Sequence, residues 1–184
     1  MDFKEETYKI IRGNLCSESH RLILDISVFT GARWSEILAL RTSDICREKG
    51  KYQTITFKDR KVEVPSALGE SLHYFDRFDD NTWLFPSPHV ANKPISLRST
   101  TNALRRAIDK SGLKFSGLSP KDIRTYYIRQ LISRGYNIAA LKKITGLSET
   151  TLFRYANRYG GNVCFSFGEQ ASFCDPRVNH RAYS

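Results

Sequence analysis

The chain has 184 residues, enough for one domain with a real core, and 40% hydrophobic against 26% charged residues is the balance of a globular protein, not a disordered one. Its 29 Lys+Arg against 19 Asp+Glu leave a net charge of +10, which points to a polyanionic partner, either nucleic acid or an acidic membrane surface. No apolar run approaches the ~18 residues that span a bilayer, and the opening "MDFKEETYK" lacks the apolar stretch of a secretory signal, so we expect an intracellular protein with no membrane partner.

In chain order, "SESHRLILDISVFTG" begins with cap-type residues, sets Leu22, Ile23, Ile26 and Phe29 at helical spacing, and stops at Gly31. A second short helix is expected over "RWSEILALRTSDI". The stretch "KGKYQTITFKDRKVEVPS" then reads as a β-hairpin with its turn at Asp59-Arg60 and its end at Pro65; Asp44 to Glu48 is a candidate third strand. A helix over "ALGESLHYFDRF" is followed by the turn-rich loop "NTWLFPSPHVANKP" and by "LRSTTNALRRAIDKSGL", a helix with a basic face. Pro120 opens the helix "PKDIRTYYIRQLISRG", which Gly135 closes, and "NIAALKKITGLSETTLFRYANRYG" forms two short helices broken at Gly146.

The expected fold class is therefore mainly α with a small antiparallel β-sheet (α+β), a single domain over residues 1–160. Residues 161–184 carry no clear period and read as a tail that docks on a partner or stays mobile. Cys16, Cys46, Cys164 and Cys174 are scattered, without C-x-x-C pairing or histidines at zinc-ligand spacing, which favours free thiols over a metal site; a Cys164–Cys174 disulfide stays open.

Several residues could carry chemistry, each with an ordinary structural reading beside it. Arg33 stands at a helix start next to Gly31, where backbone amides and a guanidinium can converge on an anion, with Glu36 one turn on to hold it; the same spacing serves a solvated ion pair. Lys121, Asp122 and Arg124 follow Pro120 in the opening turns of a helix, again an end that attracts anions. Lys58 rides the hairpin tip. Tyr155 and Tyr159 share one helix face and spacing does not separate them.

The order of these motifs is more telling than any one of them. "TGARWSEILALRTSDI", a hairpin with a lysine, "WLFPS", and "LSPKDIRTYYIRQLISRGYNIAALKKITGLSETTLFRYA" together resemble the catalytic domain of the tyrosine recombinases, the phage-integrase and Xer family, from about Ser19 to Tyr159. The resemblance implies that Arg33 and Arg124 grip one DNA phosphate. It implies that Lys58, with Lys61 as competitor, protonates the leaving 5′ oxygen. The "TTL-R-Y-A" pattern selects Tyr155 over Tyr159 as the nucleophile, and Tyr127 falls at a packing position.

The chain departs from the family pattern at two places: Lys121 replaces a histidine, as in some integrases of archaeal viruses, and Leu147 follows Gly146 where histidine or tryptophan is usual. Lys121 can still contact the phosphate or move a proton; Leu147 can do neither, and Ser148 or Glu149 is expected to approach instead. The implied reaction is site-specific DNA recombination, with viral genome integration as its setting, through a 3′-phosphotyrosyl intermediate that needs no cofactor or metal. Lys93, Arg98, Arg105 and Arg106 are candidate DNA-binding residues. The implied partner is double-stranded DNA, bound by a homotetramer, with a monomer in its absence, and the chain reads as a catalytic fragment or a minimal member. Two alternatives accompany this reading: a non-catalytic DNA-binding module derived from a recombinase, and a type IB topoisomerase or telomere resolvase.

Overall fold

A computed structural model describes residues 3–58, 60–73, 82–114 and 116–159. Helix α1 (Glu5–Asn14) precedes α2 (Glu18–Thr30), which runs through the centre of the main core. Leu22, Ile23, Leu24, Ile26 and Val28 are all buried, so α2 is enclosed on every side, and α3, α4, α5 and α6 all contact it. The next helix, α3 (Trp34–Leu38), is shorter than its apolar run suggests. The chain turns through a 3-10 segment, Thr42–Asp44, and enters strand β1 (Ile45–Glu48), which supplies the third strand.

Strands β2 (Lys51–Phe57) and β3 (Arg60–Glu63) complete an antiparallel sheet in the order β1-β2-β3. The pairs Ile55↔Val62 and Phe57↔Arg60 set the register of the hairpin. Arg60 therefore belongs to β3 and not to an Asp59-Arg60 turn; Asp59 itself lies outside the described residues. This one-residue difference matters because strand side chains alternate between faces. Arg60 lies on the buried face with Ile55, Phe57 and Val62, while Lys61, opposite Thr56, lies on the exposed one.

Helix α4 (Ser66–His73) follows; the expected continuation of this helix through 74–78 lies outside the described residues. The loop after it is pinned to the end of α3: Leu84 N–H donates to the Leu40 carbonyl at 2.9 Å and Thr42 N–H to the Thr82 carbonyl at 2.9 Å. Leu84 and Phe85 are driven into the core, and the Arg41 guanidinium covers the Trp83 ring at 4.4 Å. Helix α5 (Leu97–Lys110), capped by Ser96, packs on α1 and touches α2 and α3. Helix α6 (Pro120–Ser133) starts with Ser119 and Asp122 capping each other and joins the main core, through Ile123, to a second cluster. That cluster holds Ile128, Leu131 and Ile132 of α6 against Leu141 of α7 (Ile138–Thr145) and Leu152 of α8 (Glu149–Tyr159).

Helix α1 escapes the reading of the sequence because it buries only Thr7 and Ile11, while its other isoleucine, Ile10, is exposed and most of the remaining residues are charged or polar. What fastens it is polar. The fully buried Asp25 carboxylate accepts the Tyr8 hydroxyl at 2.8 Å, the Arg12 Nε at 2.9 Å and the Ser71 hydroxyl at 2.9 Å, joining α1, α2 and α4. Asp25→Ala would strand these donors, and we expect a loss of about 3 kcal/mol in urea unfolding, the low end for a broken buried pair because Arg12 keeps some access to water. Cys16 and Cys46 are free thiols, whereas Cys164, Cys174 and the whole 160–184 tail lie outside the described residues. No helix among the described residues is long and apolar enough to cross a membrane.

Candidate active site

Two helix ends built alike bring the site together. Helix α2 ends at Thr30-Gly31 and α7 at Thr145-Gly146, each glycine in the left-handed region (φ 62° and 64°) that side chains disfavour. In both, the threonine hydroxyl donates to the carbonyl four residues back at 2.6 Å and accepts the amide two residues on, from Ala32 at 3.2 Å and from Leu147 at 3.3 Å. A methyl on Gly31 would lie 2.3 Å from the Tyr127 ring. The missing side chain thus lets α6 close on the end of α2. Arg33 is two residues past Gly31 and Arg124 one turn before Tyr127, so the same approach draws the two arginines together. Tyr127 itself is a packing residue, its hydroxyl pushed up to about 12 by burial.

Arg124, half-buried on α6, donates its Nη2 to the Thr145 carbonyl at 3.2 Å, at the electronegative end of α7. Burial, then the positive charges of Arg33 and Arg60, lowers its pKa, while Glu36 and Tyr155 act in the opposite sense. Arg33 is exposed at the start of α3. Glu36, however, does not hold its guanidinium. One carboxylate oxygen accepts the Arg33 backbone N–H at 2.7 Å, and the carboxylate receives Arg60 through Nη2 at 3.0 Å and Nη1 at 3.4 Å. Burial pushes the Glu36 carboxyl up, but the hydrogen bonds from Arg60 and the Arg33 amide, and the charges of Arg60 and Arg124, outweigh it and keep the group below its ordinary value. Arg60 and Arg124 both act on the Glu36 carboxylate, while the guanidiniums of Arg33 and Arg60 act on Arg124, so the cluster holds three positive charges against one negative.

Tyr155, half-buried on α8, places its hydroxyl 3.4 Å from the Thr125 Oγ. Thr125 donates its own proton to the Lys121 carbonyl at 2.9 Å, which leaves its oxygen available to accept from the tyrosine hydroxyl. Tyr159 stacks on Tyr155 at 6.1 Å between centroids, one turn farther along, and its ring is covered by Arg129 and Arg158. The structure thus separates two tyrosines that spacing leaves equivalent: Tyr155 is beside Arg124, and Tyr159 is beside Arg129.

The remaining predicted residues fall outside this cluster or at its rim. Lys58 is exposed at the hairpin tip, directly after Phe57, and Lys121 is exposed in the first turn of α6. Lys93, Arg98, Arg105 and Arg106 are all exposed; on α5 the three arginines lie opposite the buried Leu104, Ala107 and Ile108. Leu147 packs into the second cluster. Ser148 and Glu149 do not take its place: Ser148 contacts the Thr151 hydroxyl at 2.9 Å, and Glu149 pairs with Lys142 at 2.8 Å. Two contributors escape the sequence reading, Thr125 and Arg60. The alternation Ile55, Phe57 and Val62 carries the signal for Arg60 once the turn is moved by one residue.

Residues 4–159 match the sequence model of the phage integrase family. The chain belongs to the phage integrase family. Among curated relatives, this integrase-family chain is 29% identical over 143 residues to tyrosine recombinase XerA of Pyrococcus furiosus, covering 72% of the chain and 49% of that protein. Among solved structures it is similar in fold to XerH site-specific recombinase bound to palindromic difH substrate (TM-score 0.68, 20% identity, 86% of this chain and 50% of that one). It also resembles the catalytic domain of bacteriophage HP1 integrase (TM-score 0.63, 22% identity, 85% and 86%). The chain spans about half the length of the curated relatives it matches or somewhat less. The small sheet and the helices around it are thus the fold of a tyrosine recombinase catalytic domain, as the order of motifs implies.

Proposed function

We propose that the chain carries out the strand-breaking and rejoining step of site-specific DNA recombination, with double-stranded DNA as substrate. The observation that carries this reading is the convergence, within one chain, of Arg33 and Arg124 with the hydroxyl of Tyr155 around a site with more positive than negative charge. A phosphodiester resists attack because its oxygens are already charged, and the five-coordinate transition state concentrates that charge. Guanidiniums fixed around the oxygens lower the barrier. The Tyr155 oxygen forms a bond to phosphorus and gives up its proton to solvent water, the bond from phosphorus to the 5′ oxygen breaks, and that oxygen takes a proton from Lys58. The 3′-phosphotyrosyl link conserves the ester, so a different 5′-hydroxyl can reverse the step.

Lys58 is favoured over Lys61 because the register turns Lys61 to the sheet face away from Arg60, and Lys121 adds a cation at the mouth of the site. Exchange between two duplexes breaks four strands, each needing one tyrosine, which supports a homotetramer on DNA; a monomer in its absence is proposed beside it. The residue 161–184 segment is the proposed partner-docking tail. The test is a nicked duplex whose cleaved end diffuses away: the expected result is a covalent protein–DNA adduct carrying phosphotyrosine. Absence of an adduct with any duplex favours the non-catalytic module, and relaxation of supercoiled plasmid without exchange between paired sites favours a type IB topoisomerase.

The exposed arginines of α5, with Lys93 in the loop before it, are proposed to neutralise backbone phosphates. Each phosphate contact removed should reduce the slope of log affinity against log salt by about 0.9. For Arg105→Ala combined with Arg106→Ala, anisotropy titrations across a salt series should therefore show a slope smaller by about 2. Cleavage at saturating DNA should be unchanged.

A further inference from the structure

Arg60 takes no part in the reaction steps above, yet it is the most enclosed cation of the cluster. Its side chain is 5% exposed, bound by both terminal nitrogens to Glu36 and stacked on Phe57 at 4.8 Å. A methyl on Gly146 would meet its Nη1 at 3.3 Å, and its buried Nε makes no hydrogen bond among the described residues. An ion pair this deep is costly to desolvate and is a poor source of stability compared with an apolar pair of the same shape. Its geometry is more informative. Arg60 starts β3 directly across from Phe57, the residue before Lys58, while Glu36 also fixes the Arg33 amide and Gly146 follows the Thr145 carbonyl that holds Arg124.

We propose that Arg60 is a positioning residue that clamps the base of the β2–β3 hairpin to the start of α3 and the end of α7, thereby placing Lys58 against the phosphate held by Arg33 and Arg124. The proposal rests on the recombinase reading and on the proton donation assigned to Lys58. It makes a specific demand. Loss of Arg60 should harm the protonation of the leaving 5′ oxygen more than the attack by Tyr155.

A duplex in which sulfur replaces the bridging 5′ oxygen tests this, because a thiolate leaves without a proton: a thiol has a pKa near ~8.5, far below the ~15.7 of water that an alcohol approaches. In single-turnover cleavage of a nicked duplex, Arg60→Ala is expected to be about 100-fold slower than wild type on the oxygen substrate and within a few-fold of it on the sulfur substrate. Lys58→Ala should give the same pattern. Arg60→Lys keeps the charge without the fork and, should the alanine variant fail to fold, carries the same expectation with a smaller defect. Equal slowing of both substrates by a folded Arg60 variant, or no slowing, overturns the proposal while leaving the recombinase reading intact if wild type forms its adduct. No adduct from wild type on either substrate overturns both.

Discussion

Tyr155→Phe should abolish the covalent adduct on a nicked duplex while leaving the gel shift of the same DNA within about twofold of wild type. The substitution removes one oxygen from a ring that packs against the second cluster and keeps the ring. The hydroxyl's hydrogen bond to Thr125, at 3.4 Å, is too long to contribute much to stability, so folding and DNA affinity should survive without it. Chemistry should not, because phenylalanine has no atom to bond to phosphorus. Tyr159→Phe supplies the control. Its ring faces Arg129 and Arg158, not Arg124, and the adduct should form at a rate near that of wild type. An adduct that persists in Tyr155→Phe and maps to Tyr159 or to the tail would refute the assignment.

Arg124→Ala and Arg33→Ala should each slow cleavage by about 10²–10³-fold, the usual loss when a fixed donor to a developing charge is removed. The double variant should fall well short of the product, since groups acting on one anion are not additive. The two should differ in a second readout. Arg124 is half-buried and holds the Thr145 carbonyl, so its alanine variant should also lose thermal stability, whereas Arg33, exposed and tied into the fold through its backbone amide, should not. Lysine at either position should restore only part of the rate, because a compact ammonium lacks the planar fork that grips two oxygens. Single-turnover rates and melting curves on the same preparations decide both points.

The secondary structure from Glu18 onward was readable because its signals are local. Thr-Gly helix ends, the Ser-Pro start of α6 and the alternating hairpin each depend on a few consecutive residues. Helix α1 was not readable, because it buries only Thr7 and Ile11 and the contact that fastens it, Asp25 with Tyr8 and Arg12, joins residues 13 to 17 positions apart. The pairing of Arg33 with Glu36 was misread for a related reason. Spacing of three residues permits a helical ion pair but cannot weigh it against a partner arriving from a strand, and Arg60, 24 residues on, takes the carboxylate.

Taken alone, the order of residues supplied the candidates for the site: two arginines, a lysine on a hairpin, a tyrosine after "TTLFR", and a basic helix, in an order that resembles the phage-integrase pattern. Only the tertiary structure decided which of these meet. A single glycine without a side chain lets Tyr127 approach within van der Waals reach of α2 and so sets Arg33 beside Arg124. A one-residue choice of turn sends Arg60 inward and Lys61 outward. Both are consequences of steric exclusion and strand alternation between segments distant along the chain, and local propensity carries no information about either.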